Sequence, residues 1–189
     1  MKAYLPNTVW YDISGHGSKV SQTGHVVIDD NKHGIPPIHV RGGYIIPMST
    51  EYPHVNTQII RNGSIHLLVL PDGKQTGAGD LFWDDGDGID TIERSQYNYY
   101  TFNVYNNCTL DVNVIKTDYK TNQTIESIQI FATNGDPVSA TLDGKPVSDV
   151  LVFQKVTKLT VKLDLLSKKP GDKWTLSWKS TKTNTCNFE

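Results

Sequence analysis

Cysteine is scarce in this chain: Cys108 and Cys186 are the only two in 189 residues. That scarcity excludes a disulfide-dense scaffold and a structural zinc cluster. No run approaches the roughly 18 apolar residues of a membrane-spanning helix. Charge of one sign is also missing, since 18 Lys+Arg stand against 20 Asp+Glu for a net charge of −2. With no basic block, neither nucleic acid nor an anionic membrane is expected as a partner. Met1-Lys2-Ala3-Tyr4-Leu5-Pro6 has no apolar h-region, so no signal peptide is expected in this segment. What is present is 37% hydrophobic and 10% aromatic residues, enough to bury a core and to exclude wholesale disorder. The length allows one large domain or two small ones.

Helical periodicity is almost absent, and alternation takes its place. In Lys158–Leu165, Leu159, Val161, Leu163 and Leu165 share one face and polar groups the other, the period-2 signature of a half-buried strand. Thr109–Val114 and Trp174–Trp178 alternate in the same way. Further strands are expected over Val26–Ile28, Ile38–Val40, Tyr44–Ile46, His66–Leu70, Leu81–Trp83 and Tyr97–Tyr105. Beyond these come Ser127–Ala132, Ser139–Leu142 and Val150–Phe153. Asp72-Gly73, Asn134-Gly135-Asp136-Pro137 and Asp143-Gly144 punctuate the series, the last suiting a type I′ hairpin. The pattern predicts an all-β protein of two tandem antiparallel β-sandwiches, residues 1–107 and 108–189. Glycines, histidines and irregular stretches dominate before that boundary, and cleaner strands follow it.

Asp84-Asp85-Gly86-Asp87-Gly88-Ile89-Asp90 is the densest acidic cluster. A calcium loop needs ligands at alternating positions and a closing Glu. Counted from Asp85, Ile89 and Gln96 fall where ligands belong, so the template fails. A glycosidase needs two carboxylates roughly 5–9.5 Å apart, which neighbours in one turn do not establish. An Asx-rich turn after the strand is the better reading. The six histidines, His16, His25, His33, His39, His54 and His66, show no metal-motif spacing. Arg41-Gly42-Gly43 could hold an anion, but the glycines better suit a tight turn. Aromatics on a sandwich face could stack on sugar rings or fill the core, and the sequence leaves both open.

Three N-glycosylation acceptors occur, at Asn62 (Asn62-Gly63-Ser64), Asn107 (Asn107-Cys108-Thr109) and Asn122 (Asn122-Gln123-Thr124). Paired, Cys108 and Cys186 would close a long loop and pin the C-terminal tail, contributing on the order of 4 kcal/mol in the chain-entropy model. The alternative is two unpaired thiols.

Read in order, several strings resemble the C-terminal region of glycoside hydrolase family 31 α-glucosidases. They are Tyr4-Leu5-Pro6; Trp10-Tyr11-Asp12 with Gly15; Ile35-Pro36-Pro37-Ile38-His39-Val40-Arg41-Gly42-Gly43; Ile45-Ile46-Pro47; and Leu81-Phe82-Trp83-Asp84-Asp85-Gly86 followed by Ile89-Asp90-Thr91. The later residues resemble the family only in pattern. The resemblance implies a proximal and a distal β-sandwich that follow a catalytic (β/α)₈ barrel, with the first proximal strand cut by the start at Met1. It places the catalytic aspartates on that barrel, so no catalytic residue, cofactor or metal ligand carries over to this chain. Asp87, Gly88 and Met48-Ser49 depart from the family's usual Glu, Ser or Thr, and Gln-containing stretch.

The implied function is a non-catalytic module of a retaining α-glucosidase, with the parent's barrel as partner and the secretory pathway as compartment. The alternatives are an independent carbohydrate-binding sandwich and a self-contained glycosidase built on the acidic turn. A barrel-facing apolar patch is also expected, formed by Ile45, Ile46, Pro47, Tyr4, Trp10, Tyr11 and Tyr44, and able to drive self-association.

Overall fold

The computed structural model describes residues 2–14, 18–28, 36–49, 56–106, 108–131, 137–147, 150–153, 156–164 and 172–180. In chain order come β1 (Lys2–Leu5), β2 (Trp10–Asp12), β3 (Ser18–Lys19), β4 (Gly24–Val27), β5 (His39–Arg41) and β6 (Tyr44–Ser49). Helix α1 (Thr57–Asn62), β7 (Ile65–Leu70), β8 (Gly77–Trp83) and β9 (Asn98–Tyr105) complete the first half. Then follow β10 (Thr109–Thr117), β11 (Thr124–Phe131), β12 (Pro137–Leu142), β13 (Lys145–Pro146), β14 (Val150–Phe153), β15 (Val156–Asp164) and β16 (Lys173–Ser180). The fold is all-β, and the expected strands recur with ends moved by a few residues.

Sequence alternation maps directly onto burial. On β10, Leu110, Val112 and Val114 are fully buried, while Asp111 and Asn113 are half-buried. On β16, Trp174, Leu176 and Trp178 face inward. Each such side chain stabilises the fold by about 1.5–3 kcal/mol relative to exposure. The hairpin at Asp143-Gly144 has positive φ at both residues, as a type I′ turn requires. The side chains of Lys158–Leu165 and the turn Asn134–Asp136 lie outside the described residues.

Eleven strands join in one sheet, in the order β13-β12-β16-β10-β9-β8-β6-β7-β11-β15-β14. Its ends approach each other, because β12 packs beside β14, so the sheet curls around a shared interior. That interior takes Ile45, Leu67, Val69 and Phe102 from before residue 107, and Leu110, Val112, Ile128 and Trp174 from after it. The 107/108 boundary itself falls in the turn between β9 and β10, which pair with each other. β7 and β11 pair in parallel, with Ile65 opposite Ile125. A second parallel contact, Tyr44 with Ala78, links β6 to β8. Parallel pairs need long crossovers between the strands, which local alternation does not reveal.

β7 is covered on both faces. Leu67 and Val69 enter the main core, whereas Leu68 and Leu70 meet Tyr11 and Phe131 in a second cluster. Tyr11 belongs to a small sheet, β3-β2-β5, that lies over this outer face. The Tyr11 hydroxyl donates to Pro71 O at 2.7 Å, and its ring meets Phe131 edge-on at 5.8 Å. A third sheet pairs β1 with β4. Gly79 lets β8 pass β6, since a Cβ there would lie 2.0 Å from Ile45 O.

Candidate functional site

The acidic turn follows β8 and is organised by its own carboxylates. Asp84 Oδ1 accepts from the Gly86 amide at 2.7 Å, and Asp84 Oδ2 from the Thr91 hydroxyl at 2.8 Å. Asp85 Oδ1 accepts from the amides of Gly88 at 2.8 Å and Asp87 at 3.0 Å. Those two amides, with a smaller contribution from the Arg61 guanidinium, hold the exposed Asp85 carboxyl below the ordinary range. Asp90 pairs with Arg94 at 2.7 Å. The carboxylates of Asp84 and Asp85 therefore build an Asx-type turn, as the sequence suggests.

Arg61, near the end of α1, lies against this turn. Its guanidinium is 3.7 Å from Asp87 and occupies the space that a side chain at Gly86 would need. Helix α1 is too short for a 3.6-residue period to show, and its boundaries come from capping. Asn56 Oδ1 accepts from Ile59 N at 2.9 Å, and Gly63 N donates to Ile60 O at 3.2 Å.

Between α1, the end of β8 and the segment before β11 lies a cleft of about 230 Å³. It is lined by Arg61, Trp83, Tyr119, Lys120, Thr121 and Asn122. Among the described residues no carboxylate lines it. Asn98 fixes its far wall: Nδ2 donates to Tyr119 O at 2.8 Å, and Oδ1 accepts from Tyr119 N at 2.9 Å. A smaller apolar hollow on the other side of Trp83 is lined by Pro47, Met48, Ile60, Ile65 and Leu81 among others. Sequence reasoning missed this cleft because three separate segments assemble it, and none of them carries a motif for it.

The remaining expected sites resolve individually. Gly42 N donates to Val9 O at 2.8 Å and Gly43 N to Leu70 O at 2.7 Å. Those amides are thus engaged within the protein, and Arg41-Gly42-Gly43 serves as the β5–β6 turn, with Gly43 at φ +99°. Arg41 itself donates to the Tyr44 hydroxyl at 2.6 Å. His25 packs on Tyr4 at 5.1 Å, and His39 lines a separate pocket with Asp12 and Lys19. His16, His33 and His54 lie outside the described residues. Among the described residues no group of three or more His, Cys, Asp or Glu could hold a metal.

Asn62 ends α1 and Asn122 is exposed at the cleft rim; Asn107 lies outside the described residues. The hydroxyls of the two described sequons meet, Ser64 Oγ lying 3.3 Å from Thr124 Oγ1. Cys108 is buried and disulfide-bonded, and Cys186 lies outside the described residues. The expected apolar patch needs correction at two positions. Tyr11 and Ile45 are 1% and 3% exposed, because each packs into this chain's own cores. Tyr4 and Tyr44 are exposed, at 63% and 45%.

No family model matches the chain. The intestinal sucrase-isomaltase of Suncus murinus is 39% identical over 135 residues, covering 69% of this chain and 7% of that protein. The probable maltase-glucoamylase 2 of Homo sapiens is 30% identical over 186 residues, covering 94% of this chain and 7% of that protein. Among solved structures, the chain superposes on the ER glucosidase II complex of catalytic subunit and regulatory-subunit binding domain. The TM-score is 0.69 at 19% identity, over 95% of this chain and 21% of the other. The chain thus spans less than a tenth of the length of either of these two sequence relatives.

Proposed function

Since the chain belongs to the glycoside hydrolase family 31 α-glucosidases, we propose that it is a non-catalytic, C-terminal β-sandwich module of such an enzyme. The parent would hydrolyse terminal α-linked glucose with retention, using two carboxylates of a (β/α)₈ barrel, and this module would support the barrel's flank. The observation that carries the reading is the match itself: up to 94% of the chain aligns, yet it spans 7% of the relatives. A (β/α)₈ barrel takes about 250 residues with a helix after every strand. The described residues here are strands with one six-residue helix. The acidic turn supports the same reading, because its carboxylates hold their own loop and line no cleft described around Trp83.

The exposed Tyr4, Ile38, Tyr44 and Met48 supply apolar surface for a barrel to cover. The names of the relatives, intestinal and endoplasmic-reticular, favour a secretory compartment, as do the three sequons and the Cys108–Cys186 pairing that belongs to this reading. The isolated chain should not turn over maltose or a chromogenic α-glucoside, and it should bind its own barrel supplied in trans. Turnover that disappears in Asp85→Asn or Asp87→Asn would overturn the reading. A non-reducing peptide map showing Cys108 linked to anything other than Cys186 would overturn the pairing.

A further inference from the structure

We propose that Asn122 carries an N-linked glycan whose first sugar seats in the adjoining cleft of Arg61, Trp83, Tyr119, Lys120 and Thr121. This proposal rests on the secretory reading above and deepens it. The attachment is a glycosyl transfer from a polyprenyl-pyrophosphate-linked oligosaccharide. The Asn122 amide nitrogen bonds to the anomeric carbon, the C1–O bond to pyrophosphate breaks, the polyprenyl pyrophosphate leaves, and the amide loses one proton.

Three observations converge on the cleft. First, Asn122 is both an exposed sequon asparagine and a member of the lining. A sugar on its side chain therefore starts at the rim. Second, the lining has the chemistry of an acetamido sugar. Trp83 offers an apolar ring face to the C–H side of a pyranose. Arg61 and Lys120 are pure donors for carbonyl and hydroxyl oxygens, and the Tyr119 and Thr121 hydroxyls donate or accept. The Arg61 guanidinium also borders the acidic turn, against Gly86 and 3.7 Å from Asp87, and its five N–H groups exceed what that one ion pair uses. Third, the acceptor is held in place. Asn98 clamps Tyr119 through two hydrogen bonds, and Thr124 meets Ser64 of the neighbouring strand edge. Asn122 is thereby held between two anchored points.

An open cleft of about 230 Å³, with no carboxylate among the described residues that line it, is a poor subsite for a freely diffusing sugar. A covalently attached one is different, since tethering supplies an effective concentration in the millimolar range. Weak stacking and two or three hydrogen bonds then suffice to order it.

The test uses the full chain secreted from a eukaryotic host, in an Asn62→Gln, Asn107→Gln background. Glycopeptide mass spectrometry reads occupancy at Asn122. Thermal midpoints are then compared for the intact glycoform, for the form trimmed by an endoglycosidase to a single N-acetylglucosamine, and for Asn122→Gln. The first two should coincide, and Asn122→Gln should melt about 3 °C lower. Trp83→Ala should abolish that difference; because Trp83 also packs on the core, the exposed Lys120→Ser serves as a second variant and should shrink it. In the unmutated chain, absence of glycan at all three sequons would sink the secretory reading together with this proposal. Glycan at Asn62 or Asn107 but not at Asn122 would sink the proposal alone. Occupancy at Asn122 with identical midpoints in all three forms, or a difference untouched by both cleft variants, would show that the cleft is not the seat.

Discussion

Replacing Asn98 should be among the most damaging single polar changes in the fold. The side chain is 1% exposed and makes two hydrogen bonds to one residue, donating to Tyr119 O at 2.8 Å and accepting from Tyr119 N at 2.9 Å. It thus acts as a strand neighbour for Tyr119, which lies beyond the end of β10. Asn98→Ala removes both bonds and leaves a half-buried N–H and C=O without partners. Each lost bond is worth about 1 kcal/mol net, and an unsatisfied buried group about 1–3 kcal/mol, so a loss of about 2–4 kcal/mol is expected. Asn98→Asp separates the two bonds. The carboxylate can still accept from Tyr119 N–H, but it points a second acceptor at Tyr119 C=O. Burial disfavours the charged form and raises the folded pKa above the unfolded value of about 3.9. The variant's deficit is therefore full at neutral pH and shrinks as the pH falls through that raised value, where the acid can donate again. Urea unfolding followed by tryptophan fluorescence, at pH 7 and at about pH 4, reads both effects. A deficit below about 0.5 kcal/mol for Asn98→Ala, or an Asn98→Asp deficit equal at the two pH values, would refute the reasoning. Hydrogen exchange adds a local check, since residues 118–123 should lose protection before the main core does.

Three further outcomes are expected. Gly79→Ala should cost about 3 kcal/mol or prevent folding, because its Cβ would meet the Ile45 carbonyl oxygen at 2.0 Å; a urea midpoint equal to that of the parent chain would contradict this. Tyr11→Phe keeps the ring against Phe131 but strands Pro71 O, with a loss of about 1–3 kcal/mol measurable by the same assay. The Asp85 carboxyl is held below its ordinary range by the Gly88 and Asp87 amides. Its contribution is present above the unfolded value of about 3.9 and is lost only as the pH falls through the lower folded value. Amide exchange at Asp87 and Gly88 should accordingly stay protected at pH 4 and rise in stronger acid, and Asp85→Asn should flatten that dependence.

Alternation made β10 and β16 legible, because each has one face against the core and the other toward polar surroundings. The Asp143-Gly144 hairpin was legible from turn chemistry alone. β7 read as a strand for a different reason: Leu67-Leu68-Val69-Leu70 is continuously apolar because cores lie on both its faces. β1, β2 and β3 are short and mix polar with aromatic residues, so their period never shows. Helix α1 is set by one asparagine cap and a following glycine, which signal too little over six residues. Of the cleft, only the Asn122 sequon was visible. Trp83 read as a strand aromatic, and what joins it to Arg61 and Lys120 is long-range pairing. The patch reading failed at Tyr11 and Ile45 because proximity in sequence to an expected partner says nothing about which face of a strand a side chain takes.

The parallel pairing of β7 with β11 has a consequence for how the chain is made. The paired ends, Ser64 and Thr124, are 60 residues apart in sequence. At a synthesis rate of about 5–20 residues per second, β7 waits roughly 3–12 s for the strand that completes its hydrogen bonding. During that interval Leu67, Leu68, Val69 and Leu70, all buried at the end, line an open edge of high β-propensity. Collapse around β6 and β8 protects one side only. The nascent chain therefore has a window of aggregation risk set by topology rather than by composition, and a cell would have to bridge it by holding the edge until residue 131 has emerged.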